Sequence, residues 1–346
     1  MMNRTIFLIS LRSTSRMLMI SAMEKPLACW QGKDRVEDQQ LECLTIIFKS
    51  AGCSWSKCRM CSYRHERYQS RQTADELTSH LRGQLAWVLS QYPADTYQMV
   101  KIFTSGSFFD PDEVPPSFVD DVASAFAGKL VIAETRPEFV SEERIRKFVE
   151  IIDTGKRKFP LYCAIGLETT NDAIRDKSIN KGFKSADFFD ASRKAHTAGA
   201  GIKAYLLFKP LFVTEEEAIT DMKHSIVECS RHADLVSMNP CTVQRNTELE
   251  YYWKRGAYRP PYLWSVLEIL RDAPIHVTCD PFGGGQARGP HNCKACDYEI
   301  VRGIRDYSLN GDRDLIQALL DTECGCKEEW KFVRERERPY AMPLTS

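Results

Sequence analysis

From residue 41 onward, short apolar runs alternate with longer amphipathic stretches, and that alternation leaves few folds open to the chain. The runs are Leu44–Phe48, Met99–Thr104, Leu130–Ala133, Leu161–Leu167, Ile202–Phe208 and Leu235–Met238. Each is largely apolar along its length, as strands covered on both faces are. The amphipathic segment between each pair supplies the crossover that parallel neighbours require. Six such units predict an α/β chain whose sheet curls into a partial (β/α)6, TIM-like barrel over residues 41–245. Residues 1–40 then form an N-terminal extension, and residues 246–346 a small cysteine-containing C-terminal region. Thr73-x-x-Glu76 and Thr214-x-x-Glu217 read as capping boxes that open two of the helices. Glu215, Glu216 and Glu217 are expected as solvated first-turn charges favoured by the helix dipole.

In such a barrel the working groups gather on the loops that follow the strands. The first of these loops holds Cys53, Cys58 and Cys61 in a C-x4-C-x2-C spacing. Soft thiolates select iron-sulfur clusters or zinc, and three ligands without a fourth suit a [4Fe-4S] cluster that leaves one iron open. Two other readings stand beside it: zinc with His65 as fourth ligand, and buried thiols that bind nothing. Thirteen cysteines without a secretory signal point to a reducing, cytoplasmic setting. Ile6–Leu11 is too short for a membrane span and is followed by Arg12 and Arg16, so no membrane association is expected. With Met17, Met19 and Met23 behind it, this segment reads as an over-extended start or a loose tail. Lysines and arginines number 47 against 47 acidic residues, so any attraction to nucleic acid must come from local patches.

The second loop carries Ser105, Gly106 and Ser107, the third Glu134-Thr135-Arg136-Pro137-Glu138, and the fourth Glu168. Further on, Tyr251, Tyr252, Trp253, Tyr258, Tyr262 and Trp264 are interleaved with Arg245, Lys254, Arg255 and Arg259. Such a stretch fits base stacking with phosphate pairing, and equally a helix burying its aromatics before the Pro260-Pro261 turn. Lys57, Arg59, Arg64, Arg67 and Arg71 form a second basic stretch beside the cysteine loop. Cys279, Cys293, Cys296, Cys324 and Cys326, with His291, are candidate ligands for a structural zinc ion.

The cysteine loop, with Met60 before its last cysteine and Tyr63 after it, resembles that of radical S-adenosylmethionine enzymes, although C-x4-C departs by one residue from the commoner C-x3-C. The resemblance implies a [4Fe-4S] cluster and S-adenosylmethionine as cofactors, contacted by Met60, Tyr63, Ser105, Gly106, Ser107, Glu134, Arg136 and Glu168. The third-strand motif Glu134–Glu138 is similar to that of elongator-type radical enzymes. Tyr258-Arg259-Pro260-Pro261-x-Leu263-Trp264-Ser265 and the stretch from Asp280-Pro281 to Cys296-Asp297 resemble, more narrowly, the family of radical enzymes that make archaeosine. That resemblance implies a tRNA lyase acting on a 7-deazaguanine nucleotide of the D arm, to which the transferase ArcS has attached lysine. Cleavage of the lysine C–N bond leaves the formamidine of archaeosine, with Tyr258, Arg259, Trp264 and Arg288 expected at the substrate and an electron donor as a further partner. Radical modification of another tRNA base and a non-catalytic, metal-stabilised RNA-binding protein are the rival functions.

Overall fold

The computed structural model describes residues 23–338, so the reading of Ile6–Leu11, Met17 and Met19 lies outside the described residues. Eight strands form one sheet in chain order: β1 (Ala28–Val36), β2 (Gln39–Ile47), β3 (Met99–Phe103), β4 (Leu130–Thr135), β5 (Leu161–Glu168), β6 (Gly201–Phe208), β7 (Leu235–Pro240) and β8 (Val277–Cys279). Strands β2 to β8 run parallel, and β1 folds back antiparallel on β2. All six expected strands are present. The two unexpected ones are the sheet edges, β1 in the supposed extension and β8 in the supposed C-terminal region. Neither carries the signal of a buried parallel strand: the middle of β1 is exposed and polar, and β8 has three residues.

The helices between the strands are α1 (Ala74–Gln91), α2 (Pro116–Ala125), α3 (Glu142–Ile152), α4 (Asp172–Ile174), α5 (Ser185–Thr197) and α6 (Glu215–Cys229). They are followed by α7 (Glu248–Trp253), α8 (Leu263–Asp272), α9 (Asp297–Asn310), α10 (Arg313–Asp321) and α11 (Cys326–Arg336). Both capping boxes form: Thr73 and Thr214 accept from the amides of Glu76 and Glu217, whose carboxylates reach back to the cap amides. Alternate strand residues then divide the core. Val100, Ile102, Val131, Ile165 and Ile202 face the helices with Leu81, Phe118, Phe148 and Phe188. Val36, Cys43, Met99, Leu130, Ile132, Tyr162 and Ala164 instead fill the end of the barrel where the strands begin. Each of the larger aliphatic and Phe side chains among these contributes about 1.5–3 kcal/mol by leaving water. One end of the lumen is thus plugged, and the loops after the strands hold the other.

Glu215 departs from expectation. It is fully buried and pairs at 2.8 Å with Lys209, which follows β6. Its other oxygen accepts from the Tyr262 amide at 2.9 Å and the Ser265 hydroxyl at 2.6 Å. Capping position alone cannot reveal this, because α8 arrives from about fifty residues away to cover the first turn of α6. Removing one partner of a buried pair costs about 3–5 kcal/mol, so Glu215 fastens the C-terminal helices to the barrel. Glu217 completes the capping box and Glu216 pairs with Arg334.

Candidate metal centres

After β2 the chain turns at Gly52, where φ is +100° and a Cβ would stand 2.5 Å from the Arg67 side chain, so only glycine fits. The cysteine loop that follows is pinned from outside itself. The Trp55 indole donates to the Asn180 carbonyl at 2.7 Å and the Arg59 amide to Ile179 at 3.0 Å, while the Asn180 amide group donates to Lys57 at 3.0 Å. Arg59 grips Glu248 of α7 with two bonds of 2.7 and 2.9 Å, and the Ser62 amide donates to Gln244 at 2.7 Å. Met60 anchors the loop from below in an apolar cluster with Ile179, Leu211, Val243 and Leu249. Cys53, Cys58 and Cys61 are all partly buried. They are not among the groups whose ligand atoms converge within 4.8 Å. A single tetrahedral zinc ion holds its sulfurs about 3.8 Å apart, so this spread suits a polynuclear cluster better than one ion.

Three strand ends build the floor beside this loop. Gly106, after β3, lies so near that a Cβ there would meet the Cys53 Cβ at 2.6 Å and its Cα at 2.7 Å. The Ser105 hydroxyl is buried without a hydrogen-bond partner among the described residues. Ser107 is fixed: its amide donates to Glu113 at 2.6 Å and its hydroxyl accepts from the Arg136 amide at 3.1 Å. The Ser105 hydroxyl, orphaned beside a loop that packs directly on Gly106, is an unmet polar group that a small polar ligand at the cysteine loop would satisfy.

Glu134 and Arg136 do not pair with each other. Arg136 donates to Glu138 at 2.6 Å and to the Lys181 carbonyl at 3.0 Å, and lies 5.5 and 5.4 Å from the rings of Trp55 and Phe183. The Glu134 carboxyl has no such partner among the described residues. Burial lifts its pKa to about 7, against the pull of Lys181 and with help from Glu168 and Glu113. Glu168, at a bulge in β5 with φ +67°, holds the Lys181 ammonium at 2.5 Å. Burial would lower the pKa of Lys181, but Glu168 and then Cys58 raise it above the ordinary lysine value. Tyr63 is 45% exposed, yet burial of its phenol and the nearby Glu134 lift its pKa to about 12.

Sequence reasoning missed Lys181. It sits in the turn Asn180-Lys181-Gly182, where the φ angles of Asn180 and Gly182 are +58° and +79° and Gly182 lies against the Trp55 ring. The turn follows a π-helical stretch (Arg175–Ile179), and Asn180-x-Gly182 marks a turn in the sequence without singling out the lysine inside it.

The C-terminal cysteines behave differently. Cys293, Cys296, Cys324 and Cys326 bring their sulfurs within 4.8 Å of one another, with separations of 3.8, 3.6, 3.8 and 3.3 Å around the set. These match the spacing of a tetrahedral zinc site built from four thiolates. The Trp264 indole donates to Cys326 at 3.2 Å and the Asn292 amide group to Cys296 at 3.4 Å, the kind of supporting bonds that orient metal ligands. Cys279 does not belong: it is buried on β8, outside the group, because the alternation of that strand turns it toward α9. His291 is likewise outside, its Nδ1 engaged with the Gly289 carbonyl at 2.8 Å.

Four residues expected at the substrate are held by protein contacts. Trp264 is fully buried behind the thiols, so it cannot stack on a base. Tyr258 is buried and donates to the Lys209 carbonyl at 2.8 Å. Arg259 lies 3.4 Å over the Tyr262 ring and donates to the His291 carbonyl at 2.9 Å. Arg288 lies over Trp253 and bonds Glu250 at 2.5 Å. Of the aromatic and basic stretch, Tyr251 remains 51% exposed, with Arg255 3.5 Å from its ring.

No family profile matches the chain. Over 338 residues it is 41% identical to an archaeosine synthase subunit beta from Methanosarcina acetivorans, covering 94% of each chain. An archaeosine synthase subunit beta from Thermococcus kodakarensis is 34% identical over 321 residues, 88% of this chain and 96% of that one. Among solved structures, a radical SAM methyltransferase from Sphaerobacter thermophilus is similar at 13% identity and a TM-score of 0.47, over 74% of this chain and 77% of that one. A queuine lyase from Clostridium spiroforme is similar at 17% identity and a TM-score of 0.43, over 61% and 80%. On the identity to the two named relatives, the chain belongs to the archaeosine synthase subunit beta family.

Proposed function

We propose that this chain is a radical S-adenosylmethionine lyase that acts on tRNA, cleaving the lysine C–N bond of a lysine-adducted 7-deazaguanine nucleotide to leave archaeosine. The observation that carries the reading is the cysteine loop packed directly on Gly106, with the orphaned Ser105 hydroxyl, Glu134 and Lys181 beside it. The names of the two relatives support the tRNA nucleoside as product.

In this reading Cys53, Cys58 and Cys61 hold a [4Fe-4S] cluster, and the floor from Ser105 to Ser107 receives the polar end of S-adenosylmethionine. Together these cofactors supply a one-electron reductive cleavage and a hydrogen-abstracting radical. The chain's own residues bind, orient and shield. Gly106 permits close approach, Ser105 offers a free hydroxyl, and Glu168 with Lys181 fixes the fourth strand end. Glu134 can hold or release a proton near neutral pH beside the reacting groups. Met60 and the apolar cluster beneath the loop keep water out. The four-thiol knot holds a structural zinc ion that ties α9 to α11. Tyr251 with Arg255, and the exposed Lys57, Arg67 and Arg71, form the surface offered to tRNA. ArcS, as the lysine-transferring subunit, and an electron donor are its partners.

The test is 5′-deoxyadenosine formation by anaerobically reconstituted protein with reductant, comparing lysine-adducted and unmodified tRNA by mass spectrometry. Formation stimulated by the adduct alone, with archaeosine appearing, is the expected result. Equal stimulation by unmodified tRNA would refute the lyase assignment.

A further inference from the structure

Above the apolar plug, the inward positions of the strands line a lumen that water reaches. Phe103, Glu134, Tyr205, Leu207, Asn239 and Thr278 all keep partial exposure, while their neighbours on the same strands, which face outward, are buried. From β6 to β8 the lining is mostly polar and uncharged. Register sets Tyr205 between Gly166 and Ser237, Ser237 beside Thr278, and, one inward position further along, Leu207 beside Asn239. Neighbouring strands lie about 4.8 Å apart, so these side chains form one continuous wall. The residues between them, Leu206, Val236, Met238 and Val277, belong to the core that faces the helices.

This wall adjoins the cysteine loop and its charged floor by contact. A Cβ on Gly166 would stand 2.6 Å from the Lys181 ammonium and 2.8 Å from a Glu168 carboxylate oxygen, so that ion pair lies over the rung that Tyr205 shares. Leu207 packs against the apolar cluster that holds Met60. The polar atoms of the wall are unspent. The Tyr205 hydroxyl, the Ser237 hydroxyl and the Asn239 amide group make no hydrogen bond among the described residues, although Ser237 is only 5% exposed. Thr278 makes one long bond, to the Val236 carbonyl at 3.4 Å. Buried polar groups are ordinarily paired, so a row of them left free along one wall is complementary to a polar ligand. Tyr205 adds a flat aromatic face, with the Lys203 ammonium 5.3 Å from its ring centre. A planar heterocycle with donors and acceptors along its edge matches both features.

We propose that this wall receives a nucleobase turned out of the RNA, with Tyr205 stacked on its ring and Asn239 and Ser237 hydrogen-bonded to its edge. Enzymes that do chemistry on a base extrude it and read it in this way. The assignment rests on the lyase reading for the identity of the base, a 7-deazaguanine, and deepens it by naming what recognises the base apart from the lysine it carries. Asn239 offers both a donor and an acceptor to that edge. Loss of an aromatic stacking partner weakens base binding by about 10- to 100-fold.

The test uses full-length, reconstituted protein with S-adenosylmethionine and no reductant, so that binding is read without turnover. One ligand is lysine-adducted tRNA with 2-aminopurine as the nucleotide 3′ to the adduct, whose fluorescence rises when its stacked neighbour leaves. Wild-type protein should raise that signal several-fold. Tyr205→Leu should bind this tRNA about 10- to 100-fold more weakly, and Tyr205→Phe as tightly as wild type. A second ligand lacks only the 2-amino group of the 7-deazaguanine. Wild-type protein should prefer the amino-bearing base about tenfold, and Asn239→Leu should bind both alike. Unchanged fluorescence on binding, a wild-type protein indifferent to the amino group, or an Asn239→Leu protein that keeps the full preference overturns the proposal. Adding reductant separates the two readings. An extruded, amino-selected base without 5′-deoxyadenosine formation keeps the wall and removes the lyase, whereas undiminished turnover in both Tyr205→Leu and Asn239→Leu removes the wall and leaves the lyase.

Discussion

The chain carries two groups of clustered cysteines, and they are built in opposite ways. Around Cys293, Cys296, Cys324 and Cys326 the sulfurs already stand at single-ion spacing, joined across 28 to 33 residues of chain and backed by the buried Trp264. Cys53, Cys58 and Cys61 lie within nine residues, stay apart, and are positioned by bonds that belong to other segments. The first arrangement would hold the fold through a metal. In the second, the fold itself would hold a metal's ligands and leave a face open beside them.

The largest effect that tests this contrast is Cys58→Ala. Turnover and bound iron should be lost while thermal stability moves by no more than about 0.5 kcal/mol, since the loop's outside bonds remain. A collapse in stability would mean that the cysteine loop, too, is a structural knot. Cys296→Ala, or a zinc chelator, should do the reverse, destabilising the protein by several kcal/mol because metal binding and folding are coupled. Elemental analysis should show zinc lost and iron kept, and unchanged melting would break the distinction. Gly106→Ala sharpens it further. A Cβ forced against Cys53 should cost about 1–3 kcal/mol and lower iron occupancy without altering zinc content, which parallel metal assays would reveal.

Asp221 of α6 gives the smallest effect and a baseline outside both centres. Burial lifts its pKa to about 6, despite the Thr169 hydroxyl bond at 2.9 Å. The folded state therefore binds the proton more strongly than the unfolded chain, and stability falls as pH rises from about 4 to 6. Asp221→Asn should gain about 1–2 kcal/mol at pH 7 and nothing below about pH 4, as read by denaturant titration across pH.

What could be read in advance follows from how local each signal was. The central parallel strands announce themselves because both faces are covered and their residues are continuously apolar. The edges do not: half of β1 faces water, and β8 is too short to show a period. The thiol knot was visible as a set of cysteines, but removing Cys279 from it required knowing which face of β8 it occupies. Trp264 misled because an aromatic and basic stretch looks the same on an RNA surface and in a helix packed behind a metal site. Lys181 was silent for another reason. Its importance lies in which charges surround it, and those come from other strands and turns of the chain.

The sheet edges described above have a mechanical consequence. Hydrogen bonding between neighbouring strands runs unbroken from β1 to β8, but β1 and β8 do not pair with each other. The gap is bridged at α9, where Arg35 donates to the carbonyls of Leu309 and Asn310 at 3.2 and 3.0 Å. The barrel is therefore a split ring, stiff along its arc and compliant across one seam. Breathing motions should concentrate at this seam, and amide exchange around Leu309–Gly311 should outpace that of the strands. A lumen of this kind can widen for a bulky guest without breaking a single rung of its ladder.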